Sequence, residues 1–529
     1  MAKFTLARLF EDGARRSPNL PITIDRPLDL APGAGVQLTA GQVARLAEDT
    51  ASRLQRLGVQ SGHRVAVFKR QSLDISILVA AVRQLGAVPC LLVPDLDAET
   101  LGVLLRRLDR PHLITDAETR DGRGLPGDIN DLVRSLVTIT PAGADVQEHV
   151  LPQPRQPLSL PEDVALVTHT SGTTSGYPVA GGYPKLVGYP ESAIRAHTNM
   201  QAMVASMLRI REVGALLCSF AHGRTYSALG VALKLSWPIV LLTDATPESA
   251  AEIMARWRPG IVETFPNVFL LWEELADHPA GPLQNAKYFV NTFDAPHPRT
   301  IQRLLDASRR RTPYWLQGYG TTETGPITIR VTPRRWLART DGRCVGYELP
   351  GYTRVRLQRR AADPTGYREI LTRTKGAARI YVGEPDRLAP GSPKTWWSTG
   401  DIGFRSRRGC IHLIDRAVDE APEVRSALRV EDTLLSRLPQ LREVVILPMA
   451  DGPPRAVVCT REPGAINEER WRAATADLPG LGPRIDCRWE DLPRTSTWKI
   501  RRLELRRAIQ EHRFLPAQEG VAASSPGTS

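Results

Sequence analysis

The sequence predicts an α/β fold, and three observations carry that expectation. Helical and strand patterns alternate through the first part of the chain. The text turns β-rich around Gly342–Leu371. A new pattern of helix, two strands and helix then begins after "GCIHLIDR". Alternating periods of this kind are the grammar of helices packed on sheets.

The elements follow in order. "MAKFTLARLFEDGARRSPN" reads as an amphipathic helix with acids in it; it lacks the unbroken apolar core of a secretion signal. "TAGQVARLAEDTASRLQRLGV" spaces its apolar residues as a helix does and stops at Gly58. "RVAVFK" is a short buried strand, and "DISILVAAVRQLGAVPCLLVP" reads as helix, Gly86 cap and strand. "DVALVTHT", "WPIVLLT", "GIVETFP" and "AKYFVNTF" continue the strands. "RCVGYELPGYTRVRLQ" and "YREILTRT" form the β-rich stretch. "EDTLLSRLP", "LREVVILPM", "RAVVCT" and "NEERWRAATADL" supply the last helix–strand–strand–helix unit. The tail 516–529, "PAQEGVAASSPGTS", has a disorder-prone composition.

Composition narrows the function classes. With 529 residues the chain has room for about three domain-sized units. Its hydrophobic content of 42% is that of a soluble globular protein. No apolar run reaches the roughly 18 residues of a membrane span. The net charge is +12, yet the arginines are scattered and show no zinc-finger or RNA-binding signature. We therefore expect a cytoplasmic enzyme without a nucleic acid or membrane partner. A basic surface still favours anionic small molecules or acidic proteins. The cysteines Cys90, Cys218, Cys344, Cys410, Cys459 and Cys487 lie far apart with no C-x-x-C pair. That spacing argues against a zinc site and against a disulfide framework.

The stretch "THTSGTTSGYPVAGGYPKLVGYP" from Thr168 carries the most chemistry. An apolar strand runs into a turn rich in threonine, serine and glycine. Successive N–H and hydroxyl donors without bulk make an anion nest, and a lysine adds charge for phosphates. The stretch departs from the G-x-x-x-x-G-K-[ST] loop. Read alone, it is also an ordinary flexible loop. "GYP" then occurs three times, and only the second copy is followed by lysine, Lys185.

"TSGTT" with "GYPK" resembles the T-S-G-T-T-G-x-P-K signature of the adenylate-forming superfamily. That superfamily comprises acyl- and aryl-CoA synthetases, acyl-AMP ligases, amino-acid adenylation domains and luciferases. The resemblance sets aside Ser175–Gly181 as an insertion, and the three GYP copies then read as tandem duplication inside a mobile loop, with only the copy bearing Lys185 keeping the family's role. A second frame takes Ser175–Pro178 as the motif end and puts Val179 at the lysine position. On the first frame the resemblance implies Thr170, Ser171, Gly172, Thr173 and Thr174, with Lys185, around the ATP phosphates.

Further matches follow in the family's order. "GYGTTETGP" resembles the Y-G-x-T-E element, which implies Tyr319 near adenine and Thr322 and Glu323 near phosphates and Mg²⁺. Such a site suits Mg²⁺, which prefers oxygen ligands; the resemblance also implies Gly318 at the edge of the acid pocket. "WWSTGDIGF" resembles the T-G-D element, so Asp401 would accept the ribose hydroxyls, as a carboxylate can. "IHLIDRAVDE" implies Arg416 at the ribose and Asp419 as the hinge. "LPRTSTWKIRRLELR" resembles P-x-T-x-x-G-K-I-x-R, so Lys499 falls on the catalytic lysine, with Trp498 in place of glycine. Two of the chain's eight lysines thus land on the two family lysine positions.

The resemblance covers nearly the whole chain. It implies a large N-terminal domain of stacked α/β sheets with a distorted β-barrel (1–415). A small mobile C-terminal α+β lid carrying Lys499 follows (416–515). "CSFAHGRTYSALG" resembles the F-H-x-x-G segment, which implies His222 as a pocket wall; a structural histidine is the other reading. No nearby aspartate stands ready for an amino-acid ammonium, so an acyl or aryl acid is expected. "TFDAP" puts Phe293 and Asp294 where relatives carry small glycines, narrowing or polarising the pocket floor.

The resemblance implies ATP- and Mg²⁺-dependent activation of a carboxylic acid to an acyl-adenylate with pyrophosphate release. Transfer to a thiol follows. In the hinge loop "RAVDEAPEVR", Pro422 stands for the usual lysine and Arg425 for the usual glycine. A carrier-protein phosphopantetheine is therefore expected ahead of free CoA as the acceptor. A CoA ligase and a non-catalytic nucleotide-binding relative are the alternatives.

Overall fold

The computed structural model describes residues 4–140, 143–148, 160–170, 183–292, 296–339, 342–360, 366–391, 394–417, 424, 426–449, 452–478, 480–495 and 498–511. Among the described residues it is a mixed α/β fold of two large sheets and a small one, with 13, 8 and 3 strands.

Local sequence explains the opening elements. Thr39 and Gln42 form a reciprocal capping box that starts the helix Ala40–Arg56. Asp97 and Asp116 cap Ala98–Arg107 and Ala117–Arg123 through their side chains. The helix Leu73–Gln84 ends at Gly86, whose φ of 71° is the left-handed geometry glycine adopts without a Cβ penalty. The strands Arg64–Phe68, Val88–Leu92 and His112–Asp116 are buried along their whole length and pair in parallel. Their continuous apolar text reflects burial on both faces.

This eight-stranded sheet also takes in Val164–His169, Leu186–Pro190 and Ile380–Val382. The 13-stranded sheet has a parallel half built from Ile239–Leu241, Gly214–Leu216, Ile261–Thr264, Tyr288–Thr292 and Tyr314–Thr321. Its antiparallel half runs through Gly325–Pro333, Cys344–Glu348, Ile411–Arg416, Trp397–Arg405, Arg368–Thr374 and Thr353–Arg359. One continuous apolar core fills the space between sheets and helices, with Trp272, Trp315, Phe269 and Phe289 at its aromatic centre.

The chain beyond Arg416 builds a smaller unit around the sheet Leu441–Leu447, Arg455–Thr460 and Ile485–Asp486. Its helices Ala427–Arg437, Glu468–Thr475 and Arg502–Gln510 enclose two apolar clusters of its own. Polar contacts help dock it on the larger unit. Arg343 pairs with Asp432 at 2.7 Å, Arg461 with Glu273 at 2.6 Å, and Arg299 donates to the Leu441 carbonyl at 2.9 Å.

One reading needs correction. The three GYP copies were expected together in a mobile loop, but the third, Gly188–Pro190, is strand. Tyr189 is buried, and Gly188 packs against Ile380 and Val164. The insertion Ser175–Gly181 and the tail 516–529 lie outside the described residues. Among the described residues, no helix is long and apolar enough to cross a membrane.

Candidate active site

Two antiparallel strands bring the first pair of residues together. Val164–His169 runs into Thr170, and Lys185 leads into Leu186–Pro190, with His169 opposite Leu186. Thr170 N–H donates to the Lys185 carbonyl at 2.9 Å, and Lys185 N–H donates to Thr170 Oγ1 at 3.1 Å. The Lys185 ammonium then reaches Glu323 Oε1 at 3.1 Å and lies 5.1 Å from the Tyr381 ring centre. Tyr381 donates its hydroxyl to the same carboxylate oxygen at 2.9 Å. Burial and the charge of Glu323 hold both the Tyr381 and Tyr189 hydroxyls well above the ordinary tyrosine range.

Thr322 and Glu323 sit in the turn between Tyr314–Thr321 and Gly325–Pro333. The Thr322 carbonyl accepts the Tyr189 hydroxyl, and the Glu323 carbonyl accepts Ala378 N–H at 2.8 Å. Gly325 follows with φ 64°, and a Cβ there would meet the His197 ring at 2.2 Å. Backbone and imidazole are in contact only because that side chain is absent.

The second cluster comes from the antiparallel half of the sheet. Asp401 and Arg416 are direct cross-strand partners, with Arg416 Nε 3.5 Å from Asp401 Oδ1. Tyr319 donates its hydroxyl to Asp401 Oδ2 at 2.6 Å. Burial, then the Asp401 charge, holds the Tyr319 hydroxyl un-ionised. Gly318 lies beside Thr292 in the parallel register, where a Cβ would touch the threonine methyl at 3.4 Å.

Lys499 joins these groups from the smaller unit. Thr495 holds its backbone through N–H···O contacts of 2.9 and 3.2 Å. Trp498 adopts φ 61°, its carbonyl accepts the Asn267 amide, and its indole packs against the large core. A cavity of about 1050 Å³ is lined by Lys185, Glu323, Tyr319, Gly318, His222 and Lys499, among others. A smaller space of about 200 Å³ lies at the junction of the two units and is shared by Asp401, Arg416 and Lys499.

His222 caps the helix Gly223–Leu235, accepting Arg224 N–H on Nδ1 at 3.1 Å. It therefore carries a structural role while lining the cavity. Burial, then the charges of Lys499, His169 and Arg224, pushes its pKa down to about 3. His169 is oriented by both neighbours: Nδ1–H donates to the Thr170 carbonyl at 2.9 Å, and Nε2 accepts Val93 N–H at 3.1 Å. Since a carbonyl only accepts, these partners fix its tautomer.

Four cavity residues were missed in the sequence reading. Arg224 forms a bidentate pair with Glu263 at 2.5 and 2.7 Å, and Gln201 accepts from the same guanidinium. Burial opposes the Arg224 charge, and Glu263 outweighs it, raising the pKa. His197 is buried with no hydrogen-bond partner for Nε2 among the described residues, and burial pushes its pKa down to about 3. Glu263 had a legible signal: an acid inside the apolar strand text "GIVETFP" needs a buried cation. Beyond Gly318 the cavity wall turns apolar, with Val290, Leu316 and Trp237 beside the stacked rings of Tyr288 and Tyr314.

Ser171, Gly172, Thr173, Thr174, Phe293, Asp294 and Asp419 lie outside the described residues. The described candidates, Thr170, Lys185, His222, Gly318, Tyr319, Thr322, Glu323, Asp401, Arg416 and Lys499, all border the two connected spaces, Asp401 the smaller one.

Comparison with known proteins bears on this geometry. The AMP-binding enzyme family matches residues 10–382. The chain is 40% identical to 3-amino-2-hydroxy-4-methoxybenzoate diazotase of Streptomyces cremeus, over 98% of both chains. It is 25% identical to 3-aminoavenalumate diazotase of a Streptomyces species, over 79% of this chain and 75% of that one. Among solved structures it resembles o-succinylbenzoate coenzyme A synthetase of Bacillus subtilis in complex with ATP and magnesium. There the TM-score is 0.71 and identity 17%, over 94% of this chain and 99% of that one.

Proposed function

This chain belongs to the AMP-binding enzyme family, and on that premise we propose that it is an ATP-dependent diazotase of an aromatic amine bearing a carboxylate. The single observation that carries this reading is the 40% identity to an aminobenzoate diazotase over 98% of both chains. Chemistry makes it compatible with adenylation. Turning an aryl amine into a diazonium without net redox change requires a second nitrogen at the oxidation level of nitrite. Nitrite, like a carboxylate, presents two oxygens on one small centre.

The reaction balances as follows. A nitrite oxygen attacks the α-phosphorus of ATP and pyrophosphate leaves, giving a nitrosyl–AMP mixed anhydride. The amine nitrogen attacks the nitroso nitrogen, and AMP leaves with its oxygen. The resulting N-nitrosamine loses its amine proton, tautomerises to a diazohydroxide and sheds water after protonation. Phosphoryl transfer asks chiefly for positioning and charge neutralisation.

The residues fit a nucleotide. Asp401, aligned by Tyr319 and Arg416, would accept the ribose hydroxyls, and Tyr319 would border the base. Thr170 to Thr174 and Lys185 would hold the phosphates. Thr322 and Glu323 would hold Mg²⁺, which prefers oxygen donors and neutralises phosphate charge when bound. Lys499 would stabilise charge at the α-phosphate as it develops. The apolar, aryl-lined end of the cavity suits an aromatic ring. In this reading residues 416–515 act as the lid that delivers Lys499.

The second reading is adenylation of the acid's own carboxylate, followed by transfer to CoA or to a carrier-protein phosphopantetheine. The coenzyme A synthetase of Bacillus subtilis that shares this fold favours it. Within this second reading, Pro422 and Arg425, standing where the family carries lysine and glycine, favour a carrier protein over free CoA.

The test supplies ATP and Mg²⁺ with nitrite, or with a panel of aromatic acids, and measures pyrophosphate release. Aminohydroxybenzoates are then added with nitrite at mildly alkaline pH, beside an enzyme-free control, and diazonium is trapped by azo coupling. Nitrite-dependent pyrophosphate release with ¹⁵N from nitrite in the trapped product is the expected result. Release that depends on the acid alone, with thioester formed from CoA, would replace this reading with the second.

A further inference from the structure

The cysteine spacing argues against a zinc site, yet the folded chain assembles a soft donor cluster away from the cavity. Cys344 opens the strand Cys344–Glu348, and the antiparallel register sets it opposite His412 of Ile411–Arg416. Cross-strand partners project from the same face of a sheet. Cys410 lies two residues before His412, so the strand period of two returns it to that face. The turn that delivers it closes through Ser406 N–H to the Cys410 carbonyl at 2.9 Å. The two thiol sulfurs and an imidazole nitrogen consequently lie within 4.8 Å of one another.

The spacing matches a metal polyhedron. Cys410 Sγ and His412 Nε2 are 3.4 Å apart. In a tetrahedral zinc site, with Zn–S about 2.3 Å and Zn–N about 2.0–2.1 Å, sulfur and nitrogen stand roughly 3.6 Å apart. The surroundings supply outer support of the kind that orients ligands. Ser406 Oγ lies 3.2 Å from Cys410 Sγ, and the Phe404 ring stacks on His412 with centres 4.8 Å apart and planes 16° from parallel. The Arg330 guanidinium donates to the Cys344 carbonyl at 3.0 Å, adding positive charge beside the sulfurs. Tyr347, at 52% exposure, borders the cluster on its solvent side.

We infer that Cys344, Cys410 and His412 form a tetrahedral site for one thiophilic cation, Zn²⁺ foremost, with water in the fourth position. Two thiolates and an imidazole favour zinc or cuprous copper over magnesium or calcium. Binding holds both sulfurs as thiolates, and two thiolates neutralise the dication. The site is distinct from the oxygen-rich Glu323 region, and it does not depend on the functional reading above.

Its position gives it a mechanical role. Ile411–Arg416 carries Arg416 and leads into the connection to the smaller unit. Arg343, next to Cys344, pairs with Asp432 and donates to the Leu428 carbonyl at 2.7 Å, both on the helix Ala427–Arg437. A metal bound here clamps together two strands, one leading into the smaller unit and one holding it through Arg343.

The experiment uses full-length, reduced, chelator-treated protein and Co²⁺ as the spectroscopic probe, with Zn²⁺ as competitor. One equivalent of Co²⁺ is expected to give thiolate charge-transfer bands and the intense visible bands of tetrahedral cobalt, which Zn²⁺ then abolishes. Cys410→Ser and His412→Asn, two half-buried positions, are expected to weaken binding roughly 100-fold each. Cys459→Ser, a buried cysteine elsewhere, is expected to leave it unchanged. Near-ultraviolet circular dichroism establishes that each variant is folded. Octahedral cobalt spectra, unchanged affinity in both ligand variants, or a Cys344–Cys410 disulfide with no metal uptake after its reduction would each overturn the assignment.

Discussion

Tyr319 donates its hydroxyl to Asp401 Oδ2 at 2.6 Å, although the two residues come from strands far apart in the chain. The contact aims a buried carboxylate whose other oxygen faces Arg416. A hydrogen bond to a charged group contributes about 1.5–3 kcal/mol. Tyr319→Phe should therefore raise the KM for ATP about tenfold, and Asp401→Ala roughly 100-fold, with thermal stability little changed for the former. Initial-rate kinetics on ATP check both. Equal KM values in wild type and Asp401→Ala would remove Asp401 from nucleotide binding.

Lys499→Ala should lower pyrophosphate release by about 10²–10³ and leave ATP binding nearly intact. The lysine comes from the smaller unit and, in the proposed mechanism, acts on charge that develops only as the α-phosphate is attacked. Calorimetric ATP titration beside pyrophosphate release separates the two effects. A variant that kept more than about a tenth of the rate would exclude this role.

Trp498→Gly sets two terms against each other. The left-handed φ of 61° costs a side-chain-bearing residue about 1–2 kcal/mol, which glycine relieves. Loss of the partly buried indole, which packs on the large core, costs a similar 1–2 kcal/mol. The melting temperature should stay nearly unchanged while the adenylation rate falls about tenfold, because Lys499 loses its docked neighbour. A large drop in melting temperature with full activity would show that the indole serves stability alone.

Much of this molecule was legible in its sequence, and the misses share a physical cause. Ala40–Arg56, Arg64–Phe68 and Val88–Leu92 were readable because period, cap and terminating glycine lie within one short window. The motifs around Tyr319, Asp401 and Lys499 were readable because each is local. The third GYP copy reads as loop in the sequence because what makes it strand is pairing across the loop with Val164–Val167 and, at Gly188, with Ile380 far along the chain. The Arg224–Glu263 pair and the Cys344–Cys410–His412 cluster were hidden for the same reason. Each depends on strand order or register, which no local window contains.

His222 makes stability pH-dependent in a defined direction. Its pKa is pushed from 6.5 to about 3 by burial first and by the nearby cations second. The unfolded chain therefore binds the proton more readily, and the stability it contributes is present above pH 6.5 and lost as pH falls toward 3. His197 acts in the same sense. Asp415 and Glu443, pushed up to about 7, act oppositely: their contribution is full below about pH 4 and is lost as pH rises through 7. His222→Asn keeps a capping acceptor for Arg224 N–H but removes the titration. Its destabilisation relative to wild type should be smaller at pH 5 than at pH 8 in urea denaturation. Equal destabilisation at both would show that His222 does not titrate on unfolding.

The Arg224–Glu263 pair yields the sharpest stability test. Both Glu263 oxygens accept from the guanidinium, at 2.5 and 2.7 Å, and Glu263 is 6% exposed. A buried ion pair contributes little net stability against a well-packed apolar replacement, whereas removing one partner strands an uncompensated charge. Glu263→Ala should therefore cost about 3–5 kcal/mol. Arg224→Met should cost less than that, because a buried carboxylate can take up a proton and become neutral. The double variant Arg224→Met/Glu263→Leu should recover most of the loss, so the single effects will not add. Yet the pair lines the cavity next to the apolar chamber, so the stable double variant should bind the aromatic substrate more weakly. Pyrophosphate release with the small oxyanion alone should survive in it. Chemical denaturation of the four proteins gives the coupling energy, and the two activities measured on the double variant separate architecture from recognition. Additive single losses would mean the charges are independently solvated. Unaltered affinity for the aromatic substrate would confine the pair to holding the helix Gly223–Leu235 against the strand Ile261–Thr264.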